Sequence, residues 1–457
     1  MARTCIICGL KAGSREHLFP AGLGGRRTNK GIYCGKHNND YSTLAGVLAT
    51  QFNIMNAHIG VQGDHASAPT RREIVDAASG RPYRFSRTKS EWSGPRHTAS
   101  GDGSGIVVEA RSRAEAIDYA RKLGLTPDDT DFTAETRRQF FLSPVYEELT
   151  FGGAEGLRAI AYVAQTFFAH HFPELARTAM LDGVKAYTLK GGDNHYAWWE
   201  FEPIPDLAQN PFPFGHRIVV GMDGCQAYAR VELFSALRFA VWLGACTDSA
   251  ANRSVVTDID PLALRPPKDI IETGFSGAVG KVKRPVDLTT HLRRAVSDRT
   301  AEVQLNDLFR RIARVQLDDT VAEIRARLDA ASGQDRYERE RLMFEIAEGQ
   351  KQRLLGLMRE GVGGLAKEFG KRTETASLAE AFKLLIASDP GAPDGLTPVA
   401  SASLVLAAHA VAAEMVHDHE AGRLSDDRLA ALLARGEGLE VVTRAVIEPV
   451  LAHCGLA

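Results

Sequence analysis

Apolar positions recur at three- and four-residue steps through the last third of the chain: Leu305, Leu308, Ile312 and Val315, then Val321, Ile324 and Leu328. That period predicts helices with one apolar stripe. Arg310, Arg311, Arg314, Arg325 and Arg327, mixed with acids, take the other faces as a solvated surface. Pro390, Pro393 and Pro398 with Gly391 and Gly395 predict a loop before the last helices, and 400–416 predicts an Ala-rich buried helix. The middle of the chain mixes periods. Ile106-Val107-Val108 predicts a strand, 112–123 a helix with Ser112 as N-cap and Gly124 at its end, and 157–168 a largely apolar helix. The runs 217–220 and 227–231 flank Asp223-Gly224 and predict a β-hairpin. Trp198, Trp199, Phe201, Phe212 and Phe214 gather nearby, as in a packed core. A polar, Gly/Ser-rich stretch at 60–105, interrupted by Tyr83, Phe85 and Trp92, predicts loop with short strands. The fold expected is α+β in three parts: a small module at 1–58, a mixed α+β body at 59–292 and a helical region at 293–457.

With 457 residues, 44% of them hydrophobic and 25% charged, the chain has globular composition and length enough for a core without disulfide staples. Wholesale disorder is excluded. No run approaches the roughly 18–20 uninterrupted apolar residues of a membrane helix; the 400–416 stretch carries His409 and Glu414. The opening Met-Ala-Arg-Thr-Cys has no apolar core of a secretory signal, so a cytoplasmic location is expected. Net charge is −2, but residues 1–100 hold 14 Lys/Arg against 6 Asp/Glu. A basic head on an acidic body suits an anionic partner.

Three of the six cysteines, Cys5, Cys8 and Cys34, fall within the first 34 residues. Cys225, Cys246 and Cys454 sit among apolar neighbours and read as ordinary buried thiols. Cys5-Ile6-Ile7-Cys8-Gly9 is a knuckle that aims two thiolates at one point. Cys34-Gly35-Lys36-His37 repeats the spacing with His in the last place. Together they make a Cys3His set suited to tetrahedral Zn²⁺, which would largely fold so small a segment.

Between the pairs lie Glu16-His17, Pro20, Gly24-Gly25 and Asn29, and Asn38 follows the second pair. This ordered set resembles the HNH endonuclease family, whose site sits in a ββα-metal finger; the resemblance covers about a tenth of the chain. It departs from the family in having Glu rather than Asp before His17 and His37 rather than Cys as fourth zinc ligand. A second partition of ligands turns His37 toward the catalytic metal.

The resemblance implies phosphodiester hydrolysis in DNA, with RNA as the other substrate class. His17 would be the general base, since imidazole titrates near neutrality. Glu16 and Asn38 would give oxygen ligands to Mg²⁺ or another divalent ion that stabilises the leaving 3′-oxygen, and Asn29 would orient His17. Gly24-Gly25 would bring the hairpin backbone close to DNA, and Arg26, Arg27, Lys30 and Lys36 would grip phosphates without reading sequence. The finger's helix would follow Asn38, with Leu44, Val47, Leu48 and Phe52 on its inner face and Asn39 and Tyr41 outward. Enzymes built this way often serve bacterial defence against phage. The remaining body is expected to sense a signal, bind an activating ligand or partner, or oligomerise through its C-terminal helices. His170-His171 is expected at a helix end and His417-Asp418-His419 on a solvated face, neither with a role. The rival readings are a non-catalytic zinc module that binds nucleic acid on a scaffold, and a zinc-stabilised enzyme with its site within 100–292.

Overall fold

The computed structural model describes residues 3–75, 82–87, 90–99, 105–110, 112–126, 152–201, 207–246, 253–264, 270–275, 285, 287–297, 300–389, 392 and 395–454. The chain divides into two compact units. The first comprises Met1–Arg72, Phe85–Lys89 and Glu147–Ile312; the second comprises Glu73–Arg84, Ser90–Tyr146 and Ala313–Ala457.

The first unit begins with a minimal hairpin. Strands β1 (Glu16–His17) and β2 (Thr28–Asn29) pair antiparallel, Glu16 opposite Asn29 and His17 opposite Thr28. Helices α1 (Gly35–Gln51) and α2 (Asn53–Ile59) follow. Leu44, Leu48 and Phe52 are buried as their spacing predicts, and Val47 is half-buried. Tyr41 does not face outward: it is 1% exposed, because positions 41, 44 and 48 share one stripe of the helix. Asn39 is exposed.

Helix α3 (Ala154–His171) contains the apolar 157–168 run and is buried almost all round, as a core helix should be. It packs against α1 and against an antiparallel six-stranded sheet. Helix α4 (Asp182–Lys190) packs against α3. The strands are β3 (Ala197–Glu200), β4 (His216–Asp223), β5 (Gln226–Leu233), β6 (Leu237–Ala245), β7 (Arg253–Ile259) and β8 (Ile270–Phe275), in the order β8-β7-β4-β5-β6-β3. The β4–β5 hairpin forms where Asp223-Gly224 predicts it, with Gly224 at φ 60°. The β5–β6 turn has no glycine to announce it: Phe234 and Ser235 take positive φ of 55° and 52°. Hydrogen bonds from the Arg311 guanidinium to their carbonyls help hold that conformation. Trp198, Trp199 and Phe214 are buried core residues. A buried Arg217–Asp258 pair, Nε to Oδ1 at 2.6 Å and Nη2 to Oδ2 at 2.9 Å, ties β4 to β7.

Among the described residues of the second unit, helices Arg336–Gly349, Lys351–Phe369, Ala376–Leu384, Pro398–Glu420, Asp426–Leu432 and Glu437–His453 share one apolar core. The expected strand is Ile106–Glu109, paired with Arg96–Ala99. The expected helix is Arg113–Lys122, whose Ser112 cap accepts from the Glu115 N–H. Pro398–Glu420 is the described helix with the length and apolarity to cross a membrane, yet Ala400, Leu404, Ala407 and Val411 belong to the shared core. At its end His417 and His419 are exposed, whereas Asp418 is buried and paired with Arg423 and Arg428. The solvated face expected there therefore stops at Asp418. Pro390, Gly391 and Pro393 lie outside the described residues.

Candidate functional site

The Cys5–Cys8 knuckle closes through Cys5 N–H to the Leu10 carbonyl at 2.7 Å and Gly9 N–H to the Cys5 carbonyl at 3.0 Å. Its Ile6 N–H reaches the Ile32 carbonyl at 3.0 Å, which draws the second ligand pair alongside. Cys34 caps α1 and His37 lies in the first turn. The four ligand atoms all lie within 4.8 Å of one another. Cys8 Sγ to Cys34 Sγ is 3.8 Å, and His37 Nδ1 lies 3.5 Å from Cys5 Sγ and 3.3 Å from Cys34 Sγ. Zinc bonds of ~2.3 Å to sulfur and ~2.0 Å to nitrogen give tetrahedral edges of about 3.8 and 3.5 Å, so the set fits that ion. The His37 backbone N–H, donating to the sulfur, holds the Cys34 thiol below its ordinary pKa. Burial lowers that of the His37 imidazole. Both shifts favour the ligating forms, thiolate and neutral ring. Cys225 and Cys246 are half-buried and Cys454 is exposed, so the last is not the buried thiol its neighbours suggest.

Strand alternation sends Glu16 and His17 to opposite faces. Glu16 points inward. Its carboxylate accepts from the Tyr162 hydroxyl, and burial raises its pKa to about 7. Around it runs a buried polar network. Gln165 Nε2 donates to Tyr33 and Tyr41 at 3.1 and 3.2 Å, Thr188 Oγ1 donates to Gln165 Oε1 at 3.1 Å, and the Tyr33 and Tyr41 hydroxyls bond Thr166 and Thr188 at 3.0 Å each.

His17 faces the other way. Its Nε2 lies 3.1 Å from Asp64 Oδ2, and its ring meets the His65 ring edge-on at 5.3 Å. His17 beside it, with Arg26 adding to the effect, holds the Asp64 carboxyl below the usual carboxylate range. Arg26 is buried. Its guanidinium reaches Asp64 Oδ1 at 3.2 Å, the Gln62 carbonyl at 2.8 Å and the Ala263 carbonyl. It therefore braces the loop after α2 and is not displayed for phosphate. Sequence reasoning missed Asp64 and His65. The available signal was that Asp64 is the sole acid between Asp40 and Glu73 and is followed directly by a histidine.

The other expected site residues lie elsewhere. Asn29 Nδ2 donates to His170 Nδ1 at 2.7 Å and its Oδ1 accepts the Gly31 N–H at 2.7 Å, so it orients His170 and not His17. Asn38 belongs to α1, and its side-chain oxygen is buried with no hydrogen-bond partner. Glu16 belongs to neither His/Cys/acid cluster among the described residues that can hold a metal. Lys30 is exposed, Arg27 half-buried, and Lys36 exposed with an ion pair to Asp40 at 3.0 Å. His171 ends α3, its pKa lowered to about 4 by burial and by Arg27 and Arg253. Gly24 and Gly25 serve the chain's own packing. A Cβ on Gly25 would lie 2.0 Å from the Phe19 carbonyl oxygen, and one on Gly24 2.6 Å from Pro261 Cα.

The chain matches no protein-family model, no curated protein and no solved structure. The geometry itself gives a mixed α/β protein with an N-terminal Cys3His cluster placed to hold a metal ion, zinc by its donor set.

Proposed function

We propose that the chain is a metal-dependent endonuclease of the HNH type, hydrolysing phosphodiester bonds in DNA at the N-terminal module. One observation carries this reading: His17, on the open side of a hairpin beside the Cys3His cluster, is bonded to Asp64, which a buried arginine holds in turn. An ionised carboxylate can only accept. Nε2 therefore carries the proton, and Nδ1 keeps a lone pair able to take a proton from water. Asp64 stabilises the imidazolium that results. A divalent ion, when bound, neutralises charge on the phosphate and the leaving oxygen. Lys30, Lys36 and Arg27 supply cations for the backbone, without base readout. The body then restrains or directs the module, in keeping with a role in defence against foreign DNA.

Supercoiled-plasmid cleavage with Mg²⁺, Mn²⁺ or EDTA, beside a His17→Ala variant that retains its zinc, tests the reading. Cleavage that needs added metal and vanishes in the variant is expected. Equal cleavage by both proteins removes His17 from the chemistry. The inward Glu16 and the Asn29–His170 bond favour a second reading, a non-catalytic zinc module that binds nucleic acid. That reading predicts DNA binding without cleavage by either protein.

A further inference from the structure

We propose that His17, Asp64 and His65 form a second metal site, for a first-row transition-metal dication such as Mn²⁺, Co²⁺ or Zn²⁺. One ligand atom from each lies within 4.8 Å of the others. The 3.1 Å from His17 Nε2 to Asp64 Oδ2 is close to the roughly 3.3 Å edge of a tetrahedron whose N and O ligands are ~2.0–2.1 Å from the ion. Two imidazoles with one carboxylate are a borderline donor set, which prefers these metals to the all-oxygen ion Mg²⁺.

The surroundings are those of an ion site, too. Asp64 offers Oδ2 to the site while Oδ1 is held by Arg26, and Arg26 is anchored on the Gln62 and Ala263 carbonyls. Such outer partners fix the direction of a ligating carboxylate. The loop bearing Asp64 and His65 is pinned by Thr70 N–H to the Val61 carbonyl at 2.7 Å and Ala66 N–H to the Gly63 carbonyl at 3.0 Å. His17 sits on the hairpin, where the Leu18 N–H meets the Arg27 carbonyl at 2.9 Å. Where the Cys3His set closes its ion with four protein ligands, this set supplies three and stands open: His17 and Asp64 are half-buried and His65 is exposed. Three ligands with open positions is the pattern of a catalytic ion rather than a structural one.

An ion on Nε2 replaces the hydrogen bond to Asp64, the ring proton moving to Nδ1. The two roles of His17 are therefore alternatives: with Mn²⁺, Co²⁺ or Zn²⁺ on this site it is a ligand, and with Mg²⁺, which the donor set disfavours, it keeps the base role proposed above. The ion's use in hydrolysis rests on the function proposed above; its binding does not.

The test is metal content. Full-length protein, stripped of metal and equilibrated with Co²⁺, is assayed for cobalt per chain and for thiolate-to-cobalt charge transfer. His65→Ala and Asp64→Asn variants are treated alike. Wild type should bind two ions, only one giving the thiolate signal, and each variant should keep only that one. The thiolate band shows that the module of each variant is still folded. One ion in wild type, or two in the His65→Ala variant, overturns the site. Two ions without plasmid cleavage would keep the site and defeat the nuclease, whereas cleavage with a single ion would do the reverse.

Discussion

His216 offers a quantitative test of how the sheet meets the hairpin. Its ring is fully buried between Phe19 and Phe234, with centroids at 4.6 and 4.7 Å. Nε2 lies 3.2 Å from the Leu23 carbonyl, and the Phe234 N–H donates to Nδ1 at 3.3 Å. Only the neutral Nε2–H tautomer meets both partners; a second ring proton would face the Phe234 N–H. Burial lowers the pKa from the ordinary 6.5 to about 3. The folded value lies below the unfolded one, so the unfolded chain takes up the proton first as pH falls. Stability from this group is complete above pH 6.5 and drains away toward pH 3. At ~1.4 kcal/mol per pH unit, about 3 kcal/mol is gone by a pH of about 4.5. His216→Phe leaves the Leu23 carbonyl and the Phe234 N–H buried and unpaired, a cost of about 3 kcal/mol at pH 8, but it has no proton to gain. The stability curves of the two proteins should therefore meet near a pH of about 4.5. Urea titrations at fixed zinc concentration, followed by tryptophan fluorescence, check this. Trp198, Trp199 and Trp242 lie in the unit that holds His216. Acid effects common to both chains, including that of His171, cancel in the difference. A gap unchanged between pH 8 and 4.5 refutes the buried neutral histidine.

Arg217→Met should cost about 3–5 kcal/mol in a denaturant titration, because it strands Asp258 at a buried position, and a further Asp258→Leu should recover most of the loss. Asn29→Ala should lower stability by about 1–3 kcal/mol through the lost His170 and Gly31 bonds. Plasmid cleavage per folded molecule should change by less than about twofold; a loss of about a hundredfold would restore to Asn29 the task of orienting the catalytic base. Gly25→Ala drives a methyl into the Phe19 carbonyl, and it should lower the melting temperature and the zinc retained after dialysis. Chelation of the Cys3His metal should unfold residues 3–40 first, seen as early proteolysis at Arg15 and Lys30, and Zn²⁺ should reverse it.

What the sequence made legible was local. The zinc knuckle, the Asp223-Gly224 hairpin and the Ser112 cap each depend on residues a few positions apart, so spacing sufficed. The surroundings of His17 did not follow from spacing. Asp64 lies 47 positions on and arrives only because α1 and α2 turn the chain back. Glu16 and Tyr41 resembled a metal ligand and an outward tyrosine for the same reason: Tyr162 and Thr188, which draw them inward, stand 146 and 147 residues away. Asp418, read as solvated among charged neighbours, is buried because Arg423 and Arg428 turn back to it from beyond the helix end.

The polar network beneath the hairpin imposes an order on synthesis. Tyr33, Tyr41 and Glu16 leave the ribosome long before Tyr162, Gln165, Thr166 and Thr188 exist. Zinc can staple the knuckle of the nascent chain, but the hairpin has no floor until translation passes residue 188. A polypeptide interrupted earlier carries metal and basic side chains with the inner face of His17's strand still wet. The strand that bears His17 thus gains its inner packing only once residues 162–188 have been made.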